Sequence, residues 1–220
     1  QYSPMTSVLE CEGLSRAYGS VRALKKFSLD MQKGEVVRLL GRNGAGNAML
    51  PEFGNIEMII QGAFEQGLVP FFIMLDKVND VRNFGSIART ALSAGCHAII
   101  IPHKGAAAIN EEAVKTSAGA LHHLPVCKVL SLSDTIKLMH ASGIKTIACT
   151  EKAEKDIYQA ELQEPVNLML GNEGKGVDPH LLRMAADHVK IPMYGKVGSL
   201  NVSVAAGICL FEAARQRHEV

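Results

Sequence analysis

A chain of 220 residues with 47% hydrophobic content can bury the core of one domain or slightly more. No apolar run approaches the roughly eighteen residues of a membrane span, and the N-terminus lacks a basic-then-apolar leader, so a cytoplasmic protein is expected. The formal net charge of +1 is uninformative in total, but the slightly acidic balance of residues 51–220 argues against a broad electrostatic grip on nucleic acid by that part, whose RNA contacts would have to come from a local cluster.

Charge divides unevenly along the chain. Residues 1–50 hold seven Lys/Arg against four Asp/Glu, and residues 51–220 hold sixteen against eighteen. Within the second part Lys77, Arg82, Arg89, Lys175 and Lys196 are the candidates for a local basic cluster.

The first fifty residues read as a β-rich fragment. Val8–Ser15 and Val21–Met31 alternate as half-exposed strands, and Lys33–Leu40 forms a third that runs into Gly41-Arg42-Asn43-Gly44-Ala45-Gly46. This segment resembles the opening of an ABC-transporter ATPase subunit up to its phosphate loop. Asn47 and Ala48 stand where that loop needs a lysine for the phosphates and a hydroxyl for magnesium. Residues 1–50 therefore read as a truncated, nucleotide-incompetent module joined to a different domain.

From Phe71 onward short apolar runs alternate with helical patterns, the sign of a parallel sheet covered on both faces. Strands are expected at Phe71–Leu75, Ala98–Ile101, Val126–Val129, Thr146–Cys149, Val166–Leu170 and Val189–Ile191. Helices are expected at Phe84–Ala94, Glu111–Ser117, Ser133–Ala141, Pro179–Ala186 and Val202–Arg217. The fold class is α/β, with a ligand expected at the carboxyl ends of the strands.

Three segments carry the chemistry. Asp76–Ala91 places Asn83 at a helix start, where capping the helix and contacting a ligand both fit. The same segment sets Arg89 on an otherwise apolar helix, where a buried guanidinium would need an anionic partner: a salt bridge to Asp76, Asp80 or Glu173, or a phosphate. Gly171-Asn172-Glu173-Gly174-Lys175-Gly176-Val177 is a strand-to-helix turn whose spacing departs from the dinucleotide fingerprint. Lys190–Phe211 runs from a short strand through Ser199-Leu200-Asn201 into a long apolar helix with exposed backbone N–H groups at its start.

In this order and spacing the three segments resemble the SpoU branch of the SPOUT methyltransferases, most closely the 23S ribosomal RNA guanosine 2′-O-methyltransferases. The resemblance covers about residues 52–217, with residues 51–70 as linker and entry helix and residues 71–220 as the catalytic domain. It implies a parallel sheet with a C-terminal trefoil knot, a homodimer, S-adenosyl-L-methionine as methyl donor and RNA as substrate, with tRNA ribose the nearest rival to ribosomal guanosine. It further implies that Arg89 activates the ribose hydroxyl while Asn83, Glu173, Ser199 and Asn201 orient the reacting groups. Cofactor contacts are implied at Gly171, Ile191 and Leu200 through the main chain, and at Thr150, Asn172, Gly174 and Ser199. A non-catalytic protein that binds cofactor or RNA without turnover is the alternative from another class.

The remaining reactive residues are bland. Cys11, Cys96, Cys127, Cys149 and Cys209 form no C-x-x-C pair and read as buried thiols. His97, His103, His122, His123, His180 and His188 lack metal-ligand spacing, so no metal is expected.

Overall fold

The computed structural model describes residues 7–18, 21–32 and 51–218. The chain divides into two compact units, Gln1–Met49 and Leu50–Val220. In the first, β1 (Ser7–Tyr18) and β2 (Val21–Gln32) pair antiparallel. The third expected strand and the phosphate-loop remnant, with Asn47 and Ala48, lie outside the described residues.

The second unit runs α1 (Ile56–Glu65), β3 (Phe71–Asp76), α2 (Val81–Ser93), β4 (Ala98–Pro102), α3 (Glu111–Thr116) and β5 (Val126–Val129). It continues α4 (Leu132–Ala141), β6 (Lys145–Cys149), β7 (Val166–Gly171), α5 (Pro179–Met184), β8 (Asp187–Val189) and α6 (Val202–His218). All six of its strands are parallel, in the order β5-β4-β3-β7-β6-β8.

Strand periodicity explains the two-faced core. In β3, Phe71, Ile73 and Leu75 face one side with Phe84, Ile87 and Ala88 of α2 and Ala206, Cys209 and Leu210 of α6. Phe72 and Met74 face the other side with Ile56 and Ile60 of α1, Ile136 and Met139 of α4 and Leu181 of α5. Both faces are covered, so the strand is apolar at every position except its last, Asp76.

Three elements of the second unit depart from the expected boundaries by more than one residue, each for a local reason. Helix α2 starts at Val81 because Asp80 caps it, its side chain accepting from the Asn83 N–H at 2.7 Å. Asn83 therefore lies within the first turn and does not cap the helix. Helix α5 stops at Met184, since the Ala186 N–H is drawn to the Thr146 carbonyl of β6 at 2.8 Å. The last strand is Asp187–Val189 and ends before Ile191: Lys190 turns aside to bridge Asp156, and Pro192 offers no N–H.

The far end of α6 is held by Arg217. Its guanidinium donates to the carbonyls of Leu162 at 2.8 Å, Val69 at 3.1 Å and Pro70 at 3.3 Å, and lies 4.7 Å from the Phe71 ring centre. Cys96, Cys127, Cys149 and Cys209 are free thiols, and burial pushes Cys127 up to about 12. The Cys11 side chain lies outside the described residues.

Candidate active site

Strands β3 and β7 are neighbours in register, Asp76 opposite Gly171, and the chain leaves them toward opposite edges of the sheet. That switch point is where open α/β sheets present a crevice. Two loops meet there, and both are built around close backbone approach.

Gly171 closes β7 so tightly on the following turn that a Cβ would overlap the carbonyl carbon of Gly176 and the nitrogen of Val177. Only glycine fits. The turn is held by Gly176 N–H on the Asn172 carbonyl at 2.8 Å and Gly174 N–H on Asn172 Oδ1 at 2.9 Å. Asn172 Nδ2 in turn donates to the Lys77 carbonyl at 3.2 Å, which stitches this turn to the end of β3.

Lys77 sits in the left-handed region at φ 57°, unusual for a side-chain-bearing residue. Buried Asp76 accepts the Asp178 N–H at 2.8 Å, and Lys77 Nζ lies 3.3 Å from Asp178 Oδ2. Asp178 also caps α5, and the His180 N–H, followed by Lys77, holds its carboxyl below the usual carboxylate range. Sequence reasoning passed over Asp178, although Asp followed by Pro179 is a helix-start signal.

The third segment joins through Glu173. Its Oε1 accepts Asn83 Nδ2 at 3.0 Å, Asn201 Nδ2 at 2.6 Å and the Val202 N–H at 3.2 Å. Asn201 Nδ2 also donates to Asn83 Oδ1 at 3.0 Å. Meanwhile Asn201 Oδ1 accepts from the Ser203 N–H at 2.9 Å and the Val204 N–H at 3.4 Å, capping α6. The carboxylate thus sits at the N-terminus of a 17-residue helix, where the helix dipole favours negative charge. Residues separated by up to 118 positions form one hydrogen-bonded junction.

Arg89 lies six residues beyond Asn83 on α2. Phe84, Ile87, Ala88 and Ala91 take the buried face, leaving Arg89 exposed, so the partner that a buried guanidinium would need is not required. None of the three carboxylates offered as partners forms a salt bridge with it among the described residues. Asp76 is turned to Asp178, Asp80 caps α2, and Glu173 serves the junction amides. Ser199 is exposed and makes no hydrogen bond among the described residues.

Main-chain groups line the same end of the sheet. Among the described residues, the backbone N–H and C=O groups of residues 191–200 make no hydrogen bond, although Ile191 and Leu200 are half-buried. Half-buried backbone groups require acceptors and donors from elsewhere. A heterocycle with its own hydrogen-bonding edge suits them. Thr150 stands at the carboxyl end of β6, its N–H on the Val189 carbonyl at 2.8 Å. Among the described residues no group of three His, Cys, Asp or Glu is placed to hold a metal ion.

The arrangement therefore offers unengaged main-chain groups over residues 191–200, an amide–carboxylate junction at the start of α6 and, on α2, a guanidinium with no partner among the described residues. The SpoU rRNA Methylase family model matches residues 70–211. The 23S rRNA (guanosine-2′-O-)-methyltransferase RlmB of Pectobacterium atrosepticum is 35% identical, over 97% of this chain and 84% of its own length. The same-named enzyme of Photorhabdus laumondii is 41% identical over 67% of this chain, which spans 61% of that relative. Among solved structures, the SpoU methyltransferase AviRb from Streptomyces viridochromogenes, in complex with the cofactor AdoMet, has a TM-score of 0.67 and 28% identity. That match covers 76% of this chain and 66% of AviRb.

Proposed function

The chain belongs to the SpoU rRNA methylase family, and from that premise we propose that it transfers a methyl group from S-adenosyl-L-methionine to a ribose 2′-hydroxyl of RNA. The most specific reading of the substrate is a guanosine of 23S ribosomal RNA, in keeping with the RlmB relatives. The observation that carries the proposal is the junction of Asn83, Glu173 and Asn201, which gathers three distant segments at the switch point of the sheet.

The residues at hand suit the methyl donor. Gly171, Ile191 and Leu200 offer main chain, Ile191 and Leu200 with unused hydrogen-bonding groups, while Thr150, Asn172, Gly174 and Ser199 border the same strand ends. When bound, S-adenosyl-L-methionine supplies a methyl already activated by its sulfonium charge. The protein has to place the ribose oxygen in line and help its proton leave.

Arg89 is the cation available for that task. With a pKa above about 12 a guanidinium is a poor base, and its contribution is to stabilise developing alkoxide charge, with the RNA phosphate assisting. Asn83, Glu173 and Asn201 hold the two loops and the α6 N-terminus at fixed spacing, and Ser199, whose hydroxyl has no partner among the described residues, is available to meet the ribose.

The wider architecture follows the same proposal. The β8–α6 segment returns beside the β7 loop, which supports a trefoil knot at this end of the domain. On α6, Val204 and Phe211 lie two turns apart, 51% and 52% exposed, an apolar stripe suited to a symmetric partner helix in a homodimer. Four free thiols and a ribosomal RNA substrate fit the cytoplasm. Residues 1–50 are proposed to be an ATPase-like remnant without nucleotide function, and residues 51–70 the linker and entry helix to a catalytic domain over 71–220.

The deciding experiment measures methyl incorporation from labelled S-adenosyl-L-methionine into unmodified 23S ribosomal RNA and into tRNA, with wild type and Arg89→Ala. Incorporation into 23S RNA by wild type and a loss of at least about a hundredfold in the variant, with methyl-donor affinity retained, is expected. Equal incorporation by the two proteins removes Arg89 from the mechanism. Donor binding without incorporation into either RNA establishes the non-catalytic alternative.

A further inference from the structure

The β8–α6 loop carries features that methyl-donor binding does not use. Tyr194 is 94% exposed, Val197 69% and Met193 39%; the next most exposed aromatic among the described residues, Tyr158, stands at 55%. The Tyr194 hydroxyl makes no hydrogen bond among the described residues, and around Gly195 and Gly198 a Cβ would meet only open space. No ring or cation contact engages Tyr194 among the described residues.

Two cations flank the junction in the same unpartnered state. Lys77 and Arg82 are engaged with Asp178 and Glu112, whereas Lys175 and Lys196 are exposed and make no ion pair among the described residues. Lys175 lies two residues beyond Glu173 on the tight β7 turn. Lys196 lies five residues before Asn201, within about 18 Å of it along the chain. Glu173 and Asn201 of the junction therefore each share a loop with a lysine that makes no ion pair among the described residues.

Resting on the methyltransfer reading, we propose that Tyr194, Lys196 and Lys175 form the surface that holds a single-stranded RNA segment across the site. Tyr194 stacks on an unpaired base beside the target nucleotide, and the two lysines contact flanking phosphates. An exposed π-face together with exposed cations is the pairing that recognises single-stranded nucleic acid, because every base has a face to stack and every linkage a charge to neutralise. The slightly acidic balance of residues 51–220 makes this local cluster the main electrostatic attraction for RNA in that unit.

The test uses the full chain with unmodified 23S ribosomal RNA transcript. Tyr194→Ala is expected to raise the KM for RNA about tenfold or more, with donor affinity and oligomeric mass unchanged, and Tyr194→Phe to restore it, since stacking needs only the ring. Lys175→Ala and Lys196→Ala should each lower the slope of log affinity against log salt by about 0.7 in filter binding. A single-stranded homopolymer should compete and a duplex of equal length should not. The surface assignment falls if Tyr194→Ala leaves the RNA KM unchanged, or acts through donor affinity or dissociation of subunits. Filter binding does not need turnover, so a protein that binds RNA through these residues without methylating it would overturn the catalytic reading and leave this surface intact.

Discussion

Glu173 and Asn201, 28 residues apart, are joined by a 2.6 Å hydrogen bond through the same carboxylate oxygen that accepts the Asn83 amide and the first N–H of α6. One atom thus sets the spacing of the β7 turn, the α2 N-terminus and the α6 N-terminus. Glu173→Ala removes the acceptor for all three donors. Methyl incorporation is expected to fall about a hundredfold, since roughly 1 Å of misplacement costs that much. Glu173→Gln keeps one acceptor oxygen and should retain more activity than the alanine variant in the same assay.

Gly171→Ala tests whether the backbone approach at the end of β7 is obligatory. The added Cβ has nowhere to go but into the Gly176–Val177 peptide, so the turn carrying Glu173 must move. Destabilisation of about 1–3 kcal/mol is expected. Calorimetry with S-adenosyl-L-methionine should show weakened binding, whereas the same substitution at Gly62, which has only a flexible side-chain tip nearby, should leave binding unchanged.

Lys77 adopts φ 57° and its ion pair with Asp178 is more than a third exposed on both sides. Strain in this conformation is worth about 1–3 kcal/mol, and an exposed pair of this kind contributes about 0–1 kcal/mol. After the entropy cost of glycine, Lys77→Gly should stabilise the fold by about 1 kcal/mol. A higher urea midpoint with an unchanged slope would bear this out; a lower midpoint would show that the strain is absent or the ion pair dominates.

Stability should fall as pH drops below neutrality. His97 Nδ1 accepts the Phe71 N–H at 3.1 Å, and burial, with a smaller contribution from Arg217, holds the imidazole below its usual value of 6.5. A depressed pKa means that the unfolded chain takes up the proton first. The contribution of neutral His97 is therefore complete above 6.5 and is lost as pH falls from there toward the lower folded-state value. Thermal midpoints measured from pH 8 to 5 should decline over that window, and His97→Gln, which keeps an acceptor and cannot titrate, should flatten the curve.

Much of the scaffold was legible in the residues. Continuous apolar runs marked β3 and β4, because a strand buried on both faces has few polar positions to spare, and β7 reads the same way apart from its buried Asn167. The apolar stripe of α2 and the glycines around Glu173 marked a helix and a tight turn, since both depend on dihedrals set within a few residues. Local competition misled: Asp80 and Asn83 can each cap a helix, and only the starting point of the helix decided for Asp80, freeing Asn83 to reach Glu173 and Asn201. Strand order and the exposure of Arg89 belong to the tertiary structure alone, and so do the hydrogen bonds that close Asn83 on Asn201 across 118 residues, whose membership of one site the family resemblance already implied. Sequence periodicity says which side of an element is buried. Which distant side chain then meets it is decided when the whole sheet closes, because each polar group takes whatever partner packing brings within hydrogen-bond reach.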